Sequence, residues 1–476
     1  MPKFHAAATG KYEIDMCRGS IAGNLIRFAL PVMFTNALQH FFYLADMVVI
    51  GRFAGAESLA AIGVVSVSSS FIIELFVGFA LGANVLASRA YGAGDRRELA
   101  RVVRTTVAMA LWGGAALGLL GIAVSHRLLT WLGTPPEILP KAMNYQVIIF
   151  LGIPFLMLGN VGCALLRAVG DTRRPLAILL TAGSVNAVLN LVAVAWWRLD
   201  VAGVAIATVF SQALTVVLLW RVMRDPAEPC HLPEDPFRLL RRAAVDRGIL
   251  IETLRIGIPA GVENSCYSFC NMVIQVAING FGSLAIAGNT AAASLETFSF
   301  ALVGSTHAAA ISFIAQNHGG GEMRRIRQSF VWLIATGMLS ALIPGLVCFF
   351  FGPYLLAVFN ADPAVIAWGM RRLVVIGSCY AICGLSGMLG ACLRAFGHSF
   401  TAAAISLVGV CLLRIVWTRL IFPLHPTMEW LMVSYPVSWV LVSTLNGIFL
   451  ALYCRRLFRG ENGGGTYFPC RRSSRF

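Results

Sequence analysis

Asn36, Gln39, His40, Tyr43 and Asp46 recur at steps of three and four residues. At about 100° per residue, these side chains share one face of a helix. The remaining positions from Leu30 to Ile50 are mostly Phe, Leu, Ile, Val, Met and Ala. A carboxylate on the polar stripe of so apolar a helix is suited to binding and releasing a cation. Ionisable residues inside a spanning segment are costly and turn toward a cavity or a partner. A carboxyl group kept from water also takes up a proton more readily than one in solvent. Against this stands an Asp at a wet helix end, since Gly51 lies only about 7.5 Å further along the axis. The polar stripe beneath Asp46 favours the inward-facing reading.

A second stripe, Glu263, Tyr267, Asn271 and Gln275, repeats every four residues in the other half of the chain. Substrate contacts are therefore expected from Asn36, Gln39, Tyr43, Glu263, Tyr267 and Asn271. Phe41, Phe42, Phe71 and Phe298 are available to flank a flat lipophilic cation, although aromatic residues also face lipid. Asn186 and Asn190 stand one turn apart, followed by Thr208; amides at such positions either bind a ligand or join helices. Glu74 and Glu296 read as structural. Arg414 needs an internal partner, and one of the glutamates, Glu263 included, is expected to neutralise it.

These residues sit in a chain that is 58% hydrophobic and 12% charged over 476 residues, against about 45–50% and about 25% in soluble domains. The expected fold class is an all-α polytopic membrane protein. Twelve apolar spans centre near residues 38, 72, 115, 156, 186, 212, 267, 299, 340, 382, 412 and 442, each of about 20 residues. Arg224 to Gly248, with four prolines and five arginines, reads as a hydrophilic linker. The expected layout is a segment 1–24, a six-helix bundle 25–223, a linker 224–249, a second bundle 250–455 and a basic tail 456–476. Met1 to Gly19 has no apolar signal core, so the first helix is expected to serve as an uncleaved insertion signal.

The net charge of +15 is a matter of topology and calls for no nucleic acid. With the N-terminus inside, 29 Lys and Arg fall on the inner side and 7 on the outer, Arg371 and Arg372 among the latter. The positive-inside rule then puts both termini in the cytoplasm of an inner (plasma) membrane protein. The cysteines lie mostly singly in apolar runs without zinc spacing, and Cys266 and Cys270 are too far apart for a CxxC redox pair. The Gly-rich turns at Gly92–Gly94 and Gly319–Gly321 lack the Lys-Ser/Thr ending of a phosphate loop. No metal or other cofactor is expected, and without such a loop neither is ATP hydrolysis.

The halves are repeats. Asp46–Gly63 aligns with Asn271–Gly288 at an offset of 225, Ser88–Asp95 with Ala315–Glu322 at 227, and Leu166–Gly170 with Leu393–Gly397 at 227. Six spans per half is an even number, so both copies share one orientation. Two six-helix bundles related by a pseudo-two-fold axis along the membrane normal make the architecture of alternating-access transporters.

Together these motifs resemble the multidrug and toxic compound extrusion (MATE) transporters over about residues 20 to 455. The resemblance rests on Asp46 with Gly51-Arg52-Phe53, Tyr91-Gly92-Ala93-Gly94-Asp95, Leu166-Arg167-Ala168-Val169-Gly170-Asp171-Thr172, Gly257-Ile258-Pro259, Ala315-Gln316-Asn317 and Leu393-Arg394-Ala395-Phe396-Gly397. It looks closest to the DinF-like branch and implies that the first-helix Asp46 is the cation-coupling group. Similar archaeal proteins group this aspartate with an Asn, an Asp four residues later and a Thr eighteen residues beyond. Asn186 and Thr208 match, whereas Asn190 replaces the second Asp. The cluster Asp46, Asn186, Asn190 and Thr208 thus keeps one carboxylate, which favours a proton over sodium as coupling ion.

The leading expectation is a monomeric exporter of cationic or amphipathic small molecules, working within the lipid bilayer in exchange for protons or sodium. Two rocking bundles would open alternately to either side, with Pro31 a weak point of the first helix because it removes a backbone hydrogen bond. A flippase for lipid-linked oligosaccharides is the alternative within transport and would favour several cationic cleft residues. A membrane-embedded enzyme such as an acyltransferase would need a clustered nucleophile or His/Asp pair, and the eight histidines are scattered.

Overall fold

The computed structural model describes residues 12–131, 133–232 and 245–461. Most of the basic tail, part of the linker and the start of the chain lie outside them. The first six helices are α1 (Ile21–Phe53), α2 (Ala56–Gly92), α3 (Arg96–Trp131), α4 (Leu139–Ala168), α5 (Arg173–Leu191, ending in a π turn over Val192–Trp196) and α6 (Asp200–Met223). Then come α7 (Arg247–Asn279), α8 (Ser283–Gly319) and α9 (Met323–Ala357). Next is α10, whose limbs Pro363–Ser378 and Tyr380–Ala395 meet at a bend of 53°, just after Gly377-Ser378, a pair prone to kinking. The span α11 runs from Ser399 to Leu424 with two π segments, and α12 covers Met428–Glu461.

Nine of these helices are long and apolar enough to cross a bilayer, and the bent α10 makes ten. The other two, α2 and α7, meet at the join of the bundles. A Cβ on Gly257 would lie 2.8 Å from the Gly78 carbonyl oxygen, so these backbones touch where larger residues would hold them apart. Small residues allow such approach between spanning helices.

The repeat is visible in the backbone. Gly55 and Gly282 (φ 87° and 95°), Gly94 and Gly321 (70° and 72°), and Gly170 and Gly397 (90° and 84°) are left-handed pairs at a constant offset of 227. Such turns admit glycine at little steric cost. The bundles share one apolar core at the end carrying the start of α1: Met16, Leu25 and Phe28 pack with Phe313, Ile314 and Leu393. At the opposite end the cores separate. Ile50, Ile62 and Val204 belong to the N-terminal bundle, and Ile274, Tyr380 and Trp439 to the C-terminal one. A core shared at one end and separate cores at the other make a V.

The buried charges correct three expectations. Arg372, counted with the outer-side charges, lies inside α10, where it holds Glu296 at 2.6 and 2.9 Å and Asn289 at 2.8 Å. Glu263 pairs with Arg394 at 2.5 Å, so its partner is not Arg414. Arg414 stacks 3.9 Å above the Tyr435 ring and donates to the Ser438 hydroxyl at 3.1 and 3.2 Å. Breaking a buried pair strands a charge and costs about 3–5 kcal/mol. Glu296→Gln is therefore expected to lower the unfolding temperature clearly, whereas Glu429→Gln, whose pair with Arg371 is exposed at 3.5 Å, leaves it nearly unchanged. Thermal unfolding in detergent checks both.

Candidate functional site

The structure brings Asp46 and the predicted amides together. The Asn190 side-chain nitrogen donates to an Asp46 carboxylate oxygen. The Asn186 amide, with its nitrogen toward Asp46, donates at 3.2 Å and accepts from the Thr208 backbone N–H at 3.3 Å. Thr208 thus enters through its backbone. The π turn beginning two residues after Asn190 widens the helix beside this cluster, a place where such turns recur at functional sites. Tyr145 of α4 stands within electrostatic reach of Asp46 and Tyr43; nothing in its local sequence pattern marked it. The Asn190 Oδ1 is buried and has no partner among the described residues.

Between the bundles lies an open cavity of about 680 Å³ lined by Asn36, Gln39, Tyr267, His40, Glu74 and Asn264, among others. Three of the six expected substrate residues are therefore in its wall. The others are not among its lining residues. Tyr43 is exposed, Asn271 accepts from the Tyr435 hydroxyl at 3.3 Å, and Glu263 is held by Arg394. Glu74, read from sequence as structural, faces the cavity and interacts with Asn264. Of the aromatic residues, Tyr267 and the unanticipated Phe300 line the space. Phe42 packs on Gly183, Phe41 and Phe298 are exposed, and the Phe71 side chain lies outside the described residues. Val77 and Asn264 also border a deeper cavity of about 320 Å³ with Asn84, Asn160, Arg167 and His307.

Beneath these cavities the shared end is sealed. A Cβ on Gly92 would overlap the Gln316 carbonyl, and one on Gly319 the Arg89 carbonyl. Both contacts are related by the offset of 227, so α2 and α8 touch symmetrically about the pseudo-two-fold axis. The segment before α1 crosses the seam. The Met16 N–H donates to the Gln316 side chain at 3.2 Å, and the Met16 carbonyl accepts from Asn317 at 3.0 Å and Arg325 at 2.9 Å. Gln316 reaches the Ala168 carbonyl at 2.6 Å. Burial, with Asp15 and Glu322 adding, pushes the neighbouring Cys17 thiol up to about 12. In α1, the Pro31 carbonyl accepts from the Thr35 hydroxyl at 2.8 Å, and the helix continues through it.

Twelve helices in two pseudo-symmetric bundles, ten of them long and apolar enough among the described residues to span a bilayer, sealed at one end and cleft at the other, have the architecture of a membrane transporter. The MatE family model matches residues 31–192 and 259–419, one stretch in each half, and the chain belongs to that family. It is 28% identical over 411 residues to the probable multidrug resistance protein YpnP of Bacillus subtilis, covering 85% of this chain and 89% of that protein. It is 26% identical over 397 residues to an FAD transporter of Shewanella oneidensis, covering 82% and 85%. The fold matches the outward-facing conformation of a multidrug resistance MATE family transporter of the MOP superfamily. The TM-score is 0.85 over 95% of this chain and 100% of that one, at 18% identity.

The seal makes a direct prediction. Gly92→Val places atoms where the Gln316 carbonyl lies, and is expected to part α2 from α8. Thiols react as thiolates, so alkylation of Cys17, followed by peptide mass mapping, should be slow in the wild type and clearly faster in Gly92→Val. Equal rates would show that the seal does not depend on this contact.

Proposed function

We propose that the protein is a proton-coupled exporter of cationic or amphipathic small molecules. The single observation carrying this reading is the makeup of the Asp46 cluster: one carboxylate, two amides and a buried, unpartnered Asn190 oxygen. An ionised Asp46 accepts hydrogen bonds from both amides. A protonated Asp46 needs an acceptor for its O–H, and rotation of the Asn190 amide supplies one. Both protonation states are then satisfied at the same place. A hard cation such as sodium prefers a shell of oxygens, whereas here amide N–H groups already point at the carboxylate.

The charge count assigns the sealed end to the cytoplasm, and moving Arg372 into the membrane only strengthens the asymmetry. In this orientation both termini are cytoplasmic, the protein lies in the inner (plasma) membrane, and the arrangement described is open outward. Substrate enters from inside when the α2–α8 contact parts and the opposite ends of the bundles meet. Proton uptake at Asp46 removes a charge and reverses the demands on its hydrogen-bond partners, biasing one arrangement over the other. The name of the relative YpnP, a probable multidrug resistance protein, agrees with drug export.

Proteoliposomes loaded with a fluorescent cation such as ethidium test this. A proton gradient is expected to drive efflux in the wild type and a sodium gradient is not, and Asp46→Asn should fall to the passive leak under both. Sodium-driven efflux would assign the cluster to that ion instead. Normal transport by Asp46→Asn would remove it from coupling.

A further inference from the structure

We propose that Arg167 forms an anion-binding subsite at the depth of the cleft, and that the substrates include amphipathic molecules carrying a phosphate or similar anionic group. This rests on the transport reading and names a substrate class for the same cleft.

The argument begins with a broken symmetry. Arg167 and Arg394 occupy the same position of the repeat, in the last turns of α4 and α10. In the C-terminal half, Glu263 of α7 neutralises Arg394 at 2.5 Å. The corresponding position of α1, at the offset of 227 shared by the glycine pairs and by Arg167 and Arg394, is the uncharged Asn36. Among the described residues no carboxylate pairs with Arg167 and no carbonyl accepts from it, and its half-buried side chain is open to the cavity. A cavity-facing guanidinium without a counter-charge keeps its donors free for an anion. The negative end of α4 offsets that charge only weakly, so the helix does not take the place of a counter-charge.

The surroundings suit an anionic guest. Arg167 lines the deeper cavity, of about 320 Å³, beside the amides of Asn84, Asn160 and Asn264 and the ring of His307. The buried His307 Nε2 is itself without a partner. Arginine offers a planar fork of N–H donors matched to phosphate and carboxylate oxygens. The His307 ring packs against Gly387 of α10 and closes that wall of the cavity. Asn264 also borders the outer cavity and interacts with Glu74. The cleft therefore presents a carboxylate nearer its mouth and a cation at its floor, a polarity that orients a dipolar molecule.

The test uses two rigid aromatic probes that differ by one phosphate, methylumbelliferone and methylumbelliferyl phosphate, titrated calorimetrically into the detergent-solubilised full chain. The phosphate ester is expected to bind the wild type at least about tenfold more tightly. Arg167→Gln should abolish that preference while leaving methylumbelliferone affinity within about twofold, and Arg167→Lys should retain part of it. Equal affinities in the wild type, or a preference surviving in Arg167→Gln, would overturn the proposal; the wild-type comparison decides even if a variant fails to fold. Added phosphatidylglycerol distinguishes the two sources of the same chemistry: displacement of the ester assigns the subsite to a lipid headgroup, and retention assigns it to a soluble phosphate ester. No gradient is involved. Asp46→Asn is expected to keep the preference, so a failure of proton coupling and a failure of this subsite give different results.

Discussion

The arrangement depends on the backbone contact between the ends of α2 and α8. Gly92 against the Gln316 carbonyl and Gly319 against the Arg89 carbonyl bring two helices together at the pseudo-two-fold axis. With that contact made, one apolar core spans both bundles at this end, and the segment through Met16 crosses the seam. At the other end the bundles keep separate cores, so their separation exposes polar cleft residues rather than unburied core. In the transport cycle proposed above, the molecule opens and closes by moving the two bundles against each other. Packed interfaces favour discrete arrangements over continuous deformation.

A second constraint is the cost of charge inside an apolar protein. Arg372 is tied to Glu296 and Asn289, Arg394 to Glu263, and Arg414 to a hydroxyl and an aromatic face. These groups are committed to structure. Asp46 is held by amides, and Arg167 has no carboxylate partner among the described residues. Both sit in the N-terminal bundle, so the repeat that supplies a symmetric frame leaves its chemistry on one side.

Much of this was legible in the sequence because helical periodicity and the repeat offset are local or additive signals. The stripe through Asn36, Gln39 and Asp46 marked α1, and the offset of 227 reappears in the glycine pairs of the folded backbone. Partner choice was less accessible. Glu263 and Arg414 looked like complements, yet Arg394 reaches Glu263, and helix rotation, which spacing alone does not fix, decides the matter. Arg372 lay near a span boundary and was counted with the outer-side charges, whereas α10 carries it inward. Glu74 and Tyr145 reach their places only through packing between helices. Comparing the halves did hold the clue to Arg167: the Arg recurs, while at the offset of 227 the position of Glu263 is held by the uncharged Asn36.

The central claim is that Asp46 exchanges its proton as substrate occupies the cleft. The most direct measurement is proton release on ethidium binding, obtained by calorimetry of the detergent-solubilised protein in buffers of different ionisation enthalpy. The account predicts that the wild type releases protons in proportion to ethidium bound and that Asp46→Asn binds without release. Binding to the wild type with no proton release, or undiminished release from Asp46→Asn, would contradict it.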